Sequence, residues 1–400
     1  MLRTFRQKRP GFVTLMAVVA AVFLFIIGVG LLTLGLNRRL YSIRSNNQLA
    51  ARCAADYGLT KAVHELNLRL PNINTPYPAE SSVSISGSDA KYSYTITKTN
   101  GTYYVTAHGT SGSITKTVTC DLRLKSAFEY AILTKDKLDI GSVSTVNCDN
   151  CGATPLKIGT TNNPNINAEI VLKPNSTVEG DILLGQGGIP SLVIGSGATY
   201  GNIYAVATDF DLPMPTDPTG LNNKTAINIK DSSQNKTLTA ADSGIYPSIN
   251  LQKDGELIIN GDVTLWVTGG ISLGTHAAND SAHIEINTAN PNAKLTIYLG
   301  GTFESKNGAA FNDVGDPNKL SIYGLGANSI TIKNSGNFAG TIYAPNATVS
   351  IGNSAQVYGS VIADKYTQDN SSLFKYDAKL RKVSESDKFV RFVPNHWREL

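Results

Sequence analysis

The side chains that could do chemistry are few and dispersed. Five histidines (His64, His108, His276, His283, His396) and four cysteines (Cys53, Cys120, Cys148, Cys151) are spread over 400 residues. The sequence has no His-Glu-x-x-His spacing, no phosphate loop and no Gly-x-Ser-x-Gly elbow, the patterns that would mark a zinc protease, a nucleotide enzyme or a serine hydrolase. His276 and His283 stand near each other in a Gly/Asn-rich stretch, a setting in which surface histidines outnumber ligands. Asp181, Asp209, Asp211, Asp217 and Asp262 are isolated, whereas acid–base cleavage of a polysaccharide or calcium binding needs clustered carboxylates. The expectation is a non-enzyme with no cofactor and no metal.

Two residue sets remain. Cys148-Asp-Asn-Cys151 has the spacing of a metal or redox pair, but no second pair completes a four-ligand zinc site. If the chain beyond residue 40 lies outside the cytoplasm, a local Cys148–Cys151 disulfide is the simpler reading. Two reduced thiols are the alternative, and Cys53 and Cys120 either stay free or pair. Tyr200, Tyr204, Tyr298, Tyr323, Tyr343 and Tyr358 fall in strand-like segments. Tyr298, Tyr323, Tyr343 and Tyr358 are the candidates for stacking on a surface glycan, against the plainer reading that tyrosine suits strands.

The elements that must position these residues begin with residues 1–11, a basic leader. Residues 12–36 follow without a charge, enough to cross a hydrocarbon layer that needs about 20 residues. A secretory signal has a shorter apolar core and a small-x-small cleavage site, whereas this run ends in Leu-Gly-Leu-Asn-Arg-Arg. Arg3, Arg6, Lys8 and Arg9 precede the run and supply much of the net charge of +4. The positive-inside rule therefore puts the N-terminus in the cytoplasm. With the remainder near neutral, no long basic face is left for nucleic acid. Beyond Arg39 an apolar stripe continues through Leu40, Ile43, Leu49, Ala51, Ala54, Ala55, Gly58, Leu59, Ala62, Val63, Leu66 and Leu70. Spacings of three and four predict one helix over 12–70, ended by Pro71.

Residues 9–66, with the stretch "AARCAADYGLTKAVHEL" at 50–66, resemble the N-terminal segment of PilX-type pilus-assembly proteins. The resemblance implies a membrane helix running into a small-residue helix, and partners that include the lipid bilayer and other pilin-like subunits. It also implies processing by a prepilin peptidase between Gly11 and Phe12. Major pilins carry a Glu five residues into the mature chain, where this sequence has Met16. That departure suits a minor, tip or initiating subunit, or a membrane protein that never polymerises.

Residues 80–125 alternate apolar and polar on either side of Asn100-Gly101, a strong hairpin signal. A second turn is expected over Gly109-Thr110-Ser111-Gly112, giving a small antiparallel β unit. From 127 to 380 a repeat of about 20 residues appears. "TIKNSGNFAGTIYAPNAT" at 331–348 aligns with "SIGNSAQVYGSVIADKYT" at 350–367, setting Gly340 on Gly359, and an earlier pair sets Gly180 on Gly201. Such repeats predict a parallel β-solenoid, with a β-sandwich as the competing architecture. Cys148–Cys151 would sit at its first coil, and 381–400 would cap its last. Residues 127–380 also resemble the uncharacterised β-helical domain often fused to PilX-type segments, through "DLPMPTDP" at 211–218, "FAGTIYAPNATVSIGNSAQVYGSVIA" at 338–363 and "KYDAKL" at 375–380.

The chain thus reads as mainly β, with a long N-terminal helix. Its expected place is a bacterial inner membrane, single-pass, with the bulk periplasmic or extracellular and pilus-associated. The expected role is a non-catalytic minor pilin-like subunit of a type IV pilus or related filament. The alternative is a permanently anchored adhesin or envelope scaffold binding a surface glycan or protein.

Overall fold

The computed structural model describes residues 10–70, 72–161, 170–185, 188, 194–195, 197–205, 212–274, 282–312, 315–385 and 387–400. The basic leader up to Arg9, Pro71, Asp209, Asp211 and His276 lie outside the described residues. The chain forms two compact units, one taking in the chain up to Leu124 together with Arg391–Leu400, the other Lys125–Val390.

The first unit is built on one helix, α1 (Pro10–Leu68). Its later half is buried along Ala51, Ala54, Ala55, Leu59, Ala62 and Leu66. Against it packs a sheet in the order Glu80–Ser84, Lys91–Thr99, Thr102–Ser111, Ile114–Ser126, Val390–Glu399. Asn100 and Gly101 both adopt positive φ (50° and 81°), the conformation of a two-residue hairpin turn whose twist matches the strands it joins. Alternation then places Tyr92, Tyr94, Ile96, Val105, Ala107, Val118 and Cys120 on the helix-facing side.

Two expectations are corrected in this unit. Gly109 lies inside the strand Thr102–Ser111, and the second turn falls between Ser111 and Ile114. What requires a glycine at 109 is the helix: a Cβ there would collide with the Ala51 carbonyl and the Ala55 amide. The C-terminal stretch does not cap the solenoid. Val390–Glu399 joins the sheet beside Ile114–Ser126, which would otherwise expose an unpaired edge. The Leu400 N–H donates to the Thr117 carbonyl at 3.0 Å. Phe392 is buried edge-on to Tyr103, with ring centroids 4.8 Å apart, and its backbone N–H and C=O both bond the Asn67 side chain.

The second unit is a stack of coils, each giving one short strand to each of three parallel sheets. Ile249–Leu251, Glu256–Ile259 and Asp262–Val267 form one coil and pair in register with Ile271–Leu273, His283–Ile286 and Lys294–Leu299 of the next. Gly340 is the partner of Gly359, as the repeat predicts. Gly359 has φ 145°, and a Cβ on it would strike the Gly340 carbonyl, so this pair of coils needs the glycine. In-register stacking lines up side chains in columns. One internal column runs Leu265, Ile297, Ile322, Ile342, Val361, Ile132, Ile158, Ile182, Ile203 without a polar break. Each fully buried aliphatic side chain contributes about 1.5–3 kcal/mol.

That column also shows that coil order is not chain order. Residues 361–363 pair with 132–134, and Leu373–Asp377 pairs with Thr145–Asp149. The coil begun by 365–368 and Leu373–Asp377 is therefore completed by the start of the unit, 132–134. From there 137–205 builds onward, while Ile227–Ile229 and its neighbours form the opposite end. The Cys148 coil accordingly lies inside the stack, not at its end as the sequence order predicts.

Candidate functional site

The first half of α1 is the feature with the clearest functional consequence. Helix Val13–Leu68 contains a stretch long and apolar enough to cross a membrane, none of it buried in the protein. Phe23, Leu24, Phe25, Ile26, Leu31 and Leu32 all face outward, on every side of the helix. A helix apolar all round and uncovered needs a bilayer or other apolar helices as its solvent. Met16 is exposed at 57%. Gly11 and Phe12 are helical; their side chains lie outside the described residues. The stripe read from sequence divides in two: Leu40, Ile43 and Leu49 are exposed, and burial begins at Ala51.

Cys148 and Cys151 form a disulfide, with Cα atoms 5.8 Å apart. Asn150 and Gly152, at φ 62° and 58°, close the tight loop around it. Arg381 donates to the Thr154 and Pro155 carbonyls at 3.0 and 2.7 Å and lies over the Tyr376 ring, tying the exit of the solenoid chain to this corner. Cys53 and Cys120 are free. Burial pushes the Cys120 thiol up and lowers its reactivity.

Of the four candidate stacking tyrosines, Tyr298, Tyr323 and Tyr343 are overturned by burial. Trp266, Tyr298, Tyr323, Tyr343, Ile362 and Leu133 form an outward column on one sheet, each the partner of the next. Tyr298, Tyr323 and Tyr343 nevertheless are buried, because other parts of the unit cover the column. Phe389 stacks on Tyr343 at 4.0 Å, Leu212 packs on the same cluster, and the Tyr343 hydroxyl donates to the Pro213 carbonyl at 2.9 Å. Covered in this way, they form no open aromatic surface on which a glycan could stack. The proline-containing stretch 212–223 runs down this sheet from the level of Tyr343 to the bridge between Asn223 and Ile245. Tyr358 is half-buried on another sheet. Its hydroxyl donates to Asp377 at 2.9 Å, and burial, then the Asp377 carboxylate, pushes the phenol up.

One cluster was invisible to motif reading. Parallel register makes Glu256 the partner of His283, and with Glu285 their ligand atoms lie within 4.8 Å of one another. His283 Nε2 is 3.2 Å from Glu256 Oε1, and the Asn235 amide orients the other oxygen at 3.0 Å. One imidazole and two carboxylates form a donor set able to take a divalent transition metal.

Residues 213–383 match a family described as a domain of unknown function (DUF7305). No curated protein matches the chain. Among solved structures, the competence-associated pilin ComZ from Thermus thermophilus is 12% identical over 88% of this chain and 97% of its own, with a TM-score of 0.25. An ice-binding protein from the Antarctic ascomycete Antarctomyces psychrotrophicus is 14% identical over 64% of this chain and 97% of its own, with a TM-score of 0.26. An ice-binding protein domain from Shewanella frigidimarina is 15% identical over 62% of this chain and 94% of its own, with a TM-score of 0.23. Scores this low carry no argument about this chain, and its fold rests on its own strand pairings.

Proposed function

We propose that the chain is a non-catalytic, minor pilin-like subunit of a type IV pilus or related filament, anchored in the bacterial inner membrane before assembly. The observation that carries this reading is the division of α1. A bare apolar half continues without a break into a half whose Ala51, Ala54, Ala55 and Ala62 let a β-sheet approach the helix backbone closely. In this reading the leader is removed by a prepilin peptidase between Gly11 and Phe12. The exposed half then leaves lipid to pack against equivalent helices of other subunits, and the solenoid is carried on the outside. The bulk of the solenoid favours a rare or terminal position over a repeating one.

A second reading is favoured by Met16. Without a glutamate there, the apolar span 12–36 has no charge to set its register against a neighbour, which suits a permanent anchor displaying an adhesin or scaffold. Shearing filaments from cells that make the tagged full-length protein separates the two. Recovery of the tag with the sheared fraction, lost when filament assembly is disabled, is expected for a subunit. A tag found wholly in the membrane pellet while filaments still form contradicts it.

A further inference from the structure

The second unit holds a pocket of about 310 Å³, at the small end of the range for small-molecule sites. Its floor is a ladder of hydroxyls: Thr296, Ser321 and Thr341 are successive partners on adjacent coils, and Thr341 Oγ1 donates to Ser321 Oγ at 3.1 Å. The Tyr323 ring and Phe128 supply apolar wall. Three ammonium groups line it, from Lys294, Lys382 and Lys388, against one carboxylate, Asp387. That carboxylate is already engaged, accepting from the Ser384 N–H at 2.6 Å. Among the described residues none of the three lysines is joined to a carboxylate in an ion pair. Lys388 sits over the rings of Tyr298 and Tyr323 and donates to the Tyr298 hydroxyl. Burial, then repulsion from Lys294, holds its ammonium below the usual lysine range. Three positive charges against one negative charge leave this hydroxylated concavity net positive, and an incoming anion relieves the imbalance.

We propose that this pocket binds an acidic sugar unit, with its carboxylate or sulfate among the three lysines and its ring hydroxyls on Thr296, Ser321 and Asn318. A bare inorganic anion would use the lysines but leave the hydroxyl ladder and the apolar wall idle; a neutral sugar would leave the charges unanswered. The pocket gives the solenoid a ligand class whether the anchor is cleaved or retained, so its test does not depend on the filament reading.

Full-length protein in detergent micelles is titrated calorimetrically with galacturonate, glucuronate, N-acetylneuraminate and galactose 6-sulfate, beside galactose and sodium sulfate. At least one acidic sugar is expected to saturate the protein, with galactose and sulfate weaker by about tenfold or more, as befits charge-assisted bonds combined with neutral ones. Lys388→Gln and Lys294→Gln each weaken that binding about tenfold while thermal melting is unchanged, and Lys236→Gln, on a strand outside the pocket, leaves it intact. No saturation by any acidic sugar, equal binding of galactose, equal binding of sulfate, or indifference to both lysine changes would each overturn the proposal.

Discussion

The two halves of α1 have the same backbone and no break between them, yet answer to different surroundings. Residues 13–36 are apolar and exposed on all sides, and a Cβ added to Gly28 or Gly30 would meet no atom within 4 Å. Residues 51–66 carry small side chains on one face, and strands lie so close that Gly109 cannot bear a Cβ. The close approach of a sheet to the small-residue face, not hydrophobicity alone, therefore separates the two halves.

The sharpest way to break that contrast is a pair of matched substitutions. Gly109→Val forces a side chain into the Ala51–Ala55 backbone and should destabilise the first unit by about 3 kcal/mol or more. Gly28→Val should leave its denaturant midpoint within about 0.5 kcal/mol. Equal effects at the two positions would erase the distinction. Next in size, Ile26→Lys puts a charge mid-span at a cost of about 2.5–3.5 kcal/mol in membrane insertion. Carbonate extraction should release more of this variant, while the sheet of the first unit melts as before. Smaller again is a response to alkali confined to the packed half. Burial, then the bond its hydroxyl donates to Glu80 at 2.5 Å, pushes the Tyr92 phenol above its ordinary value. The neutral phenol is favoured in the folded state, so its stabilisation is complete below about pH 10, the unfolded value. It declines as pH rises further, because the unfolded chain releases the proton first. Tyr92→Phe should flatten the dependence of the first unit's melting temperature on pH above 10; an unchanged slope would remove Tyr92 as the cause.

Local features were legible in the sequence. Asn100-Gly101 places a hairpin because few residues tolerate two positive φ angles, and Gly340 over Gly359 gives the coil register because stacked backbones leave no room for a Cβ. What escaped depends on pairing between distant segments. Nothing near residue 132 signals that it stacks on 361, since any aliphatic strand of this length fits a parallel column. Val390–Glu399 completes the sheet of the first unit by filling an edge that exists only once the other strands have folded. Tyr298, Tyr323 and Tyr343 follow the outward phase of their strands, and residues remote in sequence, Leu212, Phe389 and Phe128 among them, turn that phase into a buried one. Cross-coil register hid Glu256 beside His283, and the return of the chain after Arg381 brings Lys382 and Lys388 to Lys294 at one pocket.

In the proposed reading the bare half of α1 becomes an assembly element once the leader is cut off between Gly11 and Phe12. Intact-mass and N-terminal analysis of the protein recovered from its native membrane tests it most directly. A mature chain beginning at Phe12 is the predicted result; a chain still beginning at Met1 would contradict it and leave a permanent anchor.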